Sequence, residues 1–243
     1  RTLILGWNWR APTIINELDR YVAPGSAVTV VADVDGEESA ISHCCPDLKH
    51  LSVTFRRGDT TDWRTLDALA VETYHHVIVL CYDLPDAQQA DARTLITLLH
   101  LREIAERAGH PFSIVSEMLD VRNRNLAEAT RADDFIVSDR LVSLMMAQVS
   151  ENKALNAIFA DIFDPEGAEI YLKSAMDYVR PDVLVNFYTI VEAARRRKEV
   201  AIGYRLHDYA NDASRAYGIV VNPDKSDLVT FTERDHIVVV AEE

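Results

Sequence analysis

The sequence predicts an α/β fold: a Rossmann-like, doubly wound parallel sheet, then a long crossover helix, then a small α+β lobe. Three observations predict it. Over residues 1–138, short apolar runs alternate with amphipathic stretches, the pattern of strands joined by crossover helices. The runs are apolar at consecutive positions, as strands covered by helices on both faces must be. Beyond residue 165, strand-like runs follow one another with few helices between them, which is the pattern of a mostly antiparallel lobe.

The elements follow in order. TLIL at 2–5 is a strand that ends at Gly6, and a helix follows with Ile14, Ile15, Leu18 and Val22 on one face. Pro12 falls in its first turn, where a missing N–H does no harm, and Ala23-Pro24-Gly25 ends it. VTVVA at 28–32 is the second strand, closing at Asp33, and 53–55 the third, ending near Gly58-Asp59-Thr60. Thr61 or Asp62 then caps a helix carrying Trp63, Leu66 and Leu69. HVIVLC at 76–81 is the fourth strand, followed by a helix over 86–108 that Gly109-His110-Pro111 stops. Strands at 113–116 and 135–137 complete the first domain, 1–138. Residues 139–163 read as one long helix within a crossover segment, 139–165, broken by Asp164-Pro165-Glu166-Gly167. The C-terminal lobe, 166–243, holds a strand at 169–173, a helix at 186–197 and strand-like runs at 199–206, 217–222 and 236–241.

Composition narrows the function. The chain has 243 residues, 48% of them hydrophobic, enough for a packed core. Its 39 Asp and Glu against 25 Lys and Arg give a net charge of −14, which argues against nucleic acid or anionic lipid as main partner. Cys44, Cys45 and Cys81 cannot build a disulfide framework, and two adjacent thiols do not fit zinc spacing, so a reducing, cytoplasmic setting is expected. No run approaches the ~20 apolar residues of a membrane helix, and no signal peptide is visible. A chain that opens at Arg1 and enters a strand at once is expected to be a piece of something longer.

In a doubly wound sheet, ligands sit outside the carboxyl ends of the strands, at the switch in strand order. The first strand ends Gly6-Trp7-Asn8-Trp9-Arg10-Ala11. Against the dinucleotide pattern G-x-G-x-x-G/A, Gly6 fits, Ala11 fits, and Asn8 replaces the glycine that lets the pyrophosphate approach. The dinucleotide site is therefore expected to be impaired, with Gly6, Asn8, Asp33 and Asp59 as the cofactor-side candidates. Asp33 either holds a ribose hydroxyl or forms a turn, and Asp59 either approaches a nucleoside or serves turn chemistry. Carboxylates gather at the later strand ends: Asp83, Asp86 and Asp91, then Glu117 and Asp120, then Asp133, Asp134 and Asp139. They read either as a hard-cation site, with Asp83, Asp86, Glu117 and Asp120 as ligands, or as helix caps and solvated surface. No G-x-S-x-G, H-E-x-x-H or P-loop occurs; His75-His76 face opposite sides of a strand, His236 reads as structural, and nothing nearby in sequence marks Cys81 as a nucleophile.

Several segments carry a family likeness: ILGWN with ELDRYVAPGS, DARTLITLLHLRE, SIVSEMLDVRNRNL, the run from DDFIVSDRL to GAEIYL at 133–172, VNFYTIVEAARRRKEVAIGYR and DHIVVVAEE. Together they resemble the regulatory domain of Castor/Pollux-type ion channels, a kind of RCK domain (regulator of potassium conductance). The resemblance implies that 1–138 is the Rossmann-like lobe and 166–243 the C-lobe of a cytosolic gating domain, on the cytoplasmic face of a membrane. It implies self-assembly into dimers and a tetrameric or octameric-type ring, a pore domain preceding Arg1, and a small ion or nucleotide effector. It implies no enzymatic activity. Ca²⁺ is the effector it suggests for the acidic strand ends, where Gly6, Asp33, Glu117 and Asp120 occupy matching motifs. Asn8 departs from the glycine pattern as that group does, which weakens NAD as effector. The other readings are a soluble NAD- or nucleotide-binding subunit of a potassium transporter and an NAD-dependent oxidoreductase.

Overall fold

A computed structural model describes residues 1–34, 43–109, 112–123, 134–164, 167–210 and 212–242, with backbone only at 121, 134–139 and 213. Of the sequence expectations, His110-Pro111, Asp133 and Pro165-Glu166 lie outside these residues. The chain divides into two units, Arg1–Glu151 and Asn152–Glu243.

In the first unit, β1 (Thr2–Leu5), β2 (Ser26–Ala32), β3 (Leu51–Arg57), β4 (His76–Val79), β5 (Ser113–Met118) and β6 (Asp134–Val137) form one sheet in the order β3-β2-β1-β4-β5-β6. Every pairing is parallel. This is the doubly wound Rossmann order, and its direction reverses between β1 and β4. The helices are α1 (Ala11–Tyr21), α2 (Trp63–Ala68), α3 (Ala87–Ala108) and α4 (Ser138–Glu151). Consecutive strand residues face opposite sides, so β1 feeds two cores. Leu3 and Leu5 pack with Val77, Val79, Leu98 and Leu101. Ile4 packs with Ala11, Ile15, Val28 and Val30 on the other face. Each such fully buried Leu, Ile or Val side chain contributes about 1.5–3 kcal/mol of transfer free energy.

The helices begin where the sequence places their caps. Asp62 accepts from the Arg64 N–H and Asp86 from the Gln88 N–H, and Pro12 sits in the first turn of α1. Gly109, at φ +71°, closes α3 through its N–H to the Ala105 carbonyl.

One expectation is corrected. Residues 139–163 are two helices rather than one: α4 stops at Glu151 and α5 spans Leu155–Ile162. The Asn152 side chain accepts from the Ala154 N–H at 3.1 Å, and the Leu155 N–H returns to the Asn152 carbonyl at 3.0 Å. An Asn turn thus satisfies the backbone locally and interrupts the helix although the apolar spacing continues through it.

The second unit is antiparallel, as expected. β7 (Glu169–Ser174), β9 (Val200–Arg205), β10 (Ile219–Val221) and β12 (His236–Ala241) form a sheet in the order β10-β9-β12-β7. β8 (Leu184–Asn186) pairs with β11 (Leu228–Thr230). Helix α6 (Phe187–Arg196), capped by Asn186, buries Phe187, Ile190 and Ala194 against Ile237, Val239 and Phe231.

Candidate functional site

The site lies at the carboxyl edge of the parallel sheet, where β1 and β4 diverge. The chain leaves β1 through Gly6 at φ +93°, and a Cβ there would lie 2.2 Å from the Leu80 carbonyl oxygen. Glycine is required both by the left-handed backbone and by that close approach. The turn then carries Asn8 inward, where it is 2% exposed. Its Nδ2 donates to the Cys81 carbonyl at 2.8 Å and to Glu117 Oε2 at 2.7 Å, and its Oδ1 accepts from the Arg10 N–H at 3.0 Å.

Glu117, near the end of β5, is 8% exposed and fully engaged. One oxygen accepts from Asn8 and, at 3.3 Å, from the Cys81 N–H; the other accepts from the Arg10 guanidinium at 2.7 Å. One carboxylate therefore ties the chain segments following β1 and β4 to β5. Outside it, Arg10 stacks over the indole of the exposed Trp9 at 4.5 Å, and the Trp9 N–H donates to Asp83 at 3.0 Å.

A second buried carboxylate holds the loop after β5. Asp91, fully buried on α3, accepts from the Leu119 and Asp120 N–H groups and from Asn123 Nδ2 at 2.7–3.0 Å. The Cys81 thiol faces Asp91, Thr94 and the Glu117 carbonyl. Burial, with the nearby carboxylates adding to it, pushes this thiol up to about 12, so it stays protonated. Asp120 is gripped by Arg122 and receives Gln88 Nε2 at 2.6 Å; the Arg122 hydrogen bonds take its pKa down to about 2.

The structure thus gives each proposed cation ligand a separate task. Asp83 holds the Trp9 N–H, Asp86 caps α3, Glu117 binds Asn8 and Arg10, and Asp120 binds Arg122 and Gln88. They are not gathered into a ligand set, and among the described residues no three His, Cys, Asp or Glu side chains are arranged to hold a metal. The side chains of Asp134 and Asp139 lie outside the described residues.

On the other flank, the Asp33 N–H donates to the Tyr82 hydroxyl at 3.2 Å, and its carboxylate pairs with Arg57 at 3.4 Å. Asp59 accepts from the Thr61 N–H, the Thr61 hydroxyl and Arg93 at 2.8–3.0 Å. Burial pushes the Asp59 carboxyl up, but these donors outweigh it and hold it below the usual range. Arg93 lies over the Tyr82 ring at 4.7 Å. Gly6, Asn8, Asp33 and Asp59 therefore share one edge, each with protein partners. Sequence reasoning missed Arg10, Tyr82 and Arg93. One signal was available: an Asn and a Glu at strand ends of a buried sheet each need a partner, and Arg10 is the nearby cation.

Fold and site together define a Rossmann-type domain with a modified glycine-rich turn, joined to an antiparallel α/β unit. Along its whole length, the chain is similar to ion channels of the Castor/Pollux group. It is 30% identical to the probable ion channel CASTOR of Oryza sativa subsp. japonica and 31% identical to the ion channel CASTOR of Lotus japonicus, with 100% of this chain covered in each case. It spans about a third of the length of these relatives, 30% and 32%. No protein-family model matches the chain. Among solved structures, the GsuK RCK domain overlaps 100% of this chain and 44% of its own at TM-score 0.45 and 13% identity, a loose overlap. Among the described residues, no helix is long and apolar enough to cross a membrane.

Proposed function

We propose that the chain is the cytosolic gating domain of a cation channel, a sensor that assembles with copies of itself into a ring beneath a pore domain and is not an enzyme. The observation that carries this reading is the similarity to plant ion channels, at 30–31% identity over the full chain. The parallel sheet with its ligand crevice, followed by an antiparallel unit, suits a domain that binds an effector and passes the change on. The raised Cys81 thiol argues only against Cys81 as a nucleophile, because a protonated thiol attacks poorly.

The mechanism is a population shift. An effector moves the gate only through its different affinities for two arrangements of the ring; shifting the balance from 1:99 to 99:1 takes about 5.5 kcal/mol of such difference. In a ring, that difference is divided among the subunits, so each domain supplies a modest part.

The test is an exchange. The matching segment of the Lotus japonicus channel is replaced by this chain, and currents are recorded in planar bilayers. A conducting chimera whose open probability differs from that of the same channel lacking the segment is the expected result. A chimera that reaches the membrane and conducts identically with and without this chain would sink the reading. Light scattering of the isolated chain checks assembly: a dimer or larger species is expected, and a strict monomer at every concentration counts against the ring.

A further inference from the structure

We propose that Glu117 is an internal ligand: its carboxylate occupies the diphosphate seat of the Rossmann crevice, so the domain excludes pyrophosphate nucleotides such as NAD. The inference concerns the crevice alone and does not rest on the channel reading.

The crevice of a doubly wound sheet opens where the strand order reverses, here between β1 and β4. A dinucleotide places its pyrophosphate there, beside the second glycine of the turn, and is held by backbone N–H groups and the following helix. In this chain the second-glycine position is Asn8, whose side chain points into the crevice and binds the Cys81 carbonyl after β4. The turn's Trp9 and Arg10 N–H groups are taken by Asp83 and by Asn8 Oδ1, and three further donors in the crevice are committed to one carboxylate. Asn8 Nδ2, the Cys81 N–H and the Arg10 guanidinium all converge on Glu117, at 2.7, 3.3 and 2.7 Å.

A dinucleotide therefore does not fit the turn as built. Its diphosphate would displace Glu117 and leave that carboxylate buried, unpaired and beside two negative charges, each of which is costly. Removing the carboxylate has the opposite consequence. It leaves a small seat lined by a cation, an amide and a backbone N–H, the donor set that recognises a small anion. Asn8 and Glu117 thus form a complementary pair. Asn8 alone would be an obstacle to phosphate, and with Glu117 it becomes half of a closed latch between β1 and β5.

The experiment uses the full chain, with NAD and ADP as calorimetric probes and acetate as a probe of the vacated seat. Wild type is expected to show no saturable heat with NAD or ADP. Saturable binding of either overturns the proposal. Glu117→Ala is expected to lower Tm by roughly 5 °C or more, with 0.1 M acetate restoring part of the loss while leaving wild type unmoved. An unchanged Tm, or an acetate effect equal in both proteins, overturns it. Should Glu117→Ala fail to fold, Glu117→Gln keeps the seat filled. It is expected to fold with a lower Tm and to respond to acetate no more than wild type does, and a Tm gain in acetate beyond that of wild type would refute the assignment.

Discussion

A methyl group at position 6 would sit 2.2 Å from the Leu80 carbonyl oxygen, on a backbone already at φ +93°. Neither the end of β4 nor the turn can give way without opening the crevice. Gly6→Ala is therefore expected to cost roughly 2–4 kcal/mol, read as a shift in the urea midpoint, from overpacking and left-handed strain together. A variant within about 0.5 kcal/mol of wild type would show that the turn relaxes freely. Asp19 makes a second prediction at this scale. The N–H groups of Lys49, His50 and Leu51 converge on its carboxylate at 2.8–3.1 Å, and the Lys49 bond leads in holding its pKa below 3.8. Because the folded pKa is depressed, the stability this group lends is complete above about pH 4 and is lost as pH falls through the folded value. Asp19→Asn should unfold at lower temperature than wild type at pH 7, with the gap narrowing toward pH 3. A gap that stays constant across that range would mean that the charge on Asp19 is irrelevant to the loop it holds.

At the scale of elements, α4 leaves Leu141, Val142, Leu144 and Met146 all more than 40% exposed. Pairs three and four residues apart, Leu141 with Leu144 and Val142 with Met146, place them on adjoining faces of the helix. If the domain assembles as proposed, this surface is covered by another copy. Leu144→Glu combined with Met146→Lys should then lower the weight-average mass in light scattering while leaving circular dichroism unchanged. Unaltered mass would move the interface elsewhere. The same helix shows how far the sequence could be read. Strands β1, β2 and β4 were legible because burial by helices on both faces makes them runs of consecutive apolar residues, and β3 less so because its buried and exposed positions alternate; the cap of α2 was legible because Asp62 sits at its start. The break at Asn152 was not, since apolar spacing continues across it and one side-chain hydrogen bond decides the matter. At the crevice, Gly6 and Asn8 could be read from local spacing. The pairing of Asn8 with Glu117 could not: 109 residues separate them, and only the strand order brings them together. A clustering of acids along the sequence suggested a shared cation site, but Asp83, Asp86, Glu117 and Asp120 each have donors of their own that became visible only in the fold.

Across the whole molecule, the −14 charge works against the assembly proposed for it. Bringing two such chains together brings like charges within one another's range, and the repulsion grows with every copy added to a ring. Short-range apolar contacts, such as those α4 can offer, are barely affected by salt, whereas the repulsion is screened by it. The Debye length falls from about 30 Å at 0.01 M salt, comparable to the size of a domain, to about 8 Å at 0.15 M. Self-association should therefore strengthen as NaCl rises through that range, visible as a growing mass in sedimentation equilibrium at fixed protein concentration. The opposite trend, dissociation on adding salt, would mean that ion pairs between copies hold the interface and would refute an apolar one. Lowering the pH toward the pI of about 5.0 should act in the same direction as salt, because it removes the net charge itself rather than screening it. Agreement between the two would separate general repulsion from any specific effect of the added ion.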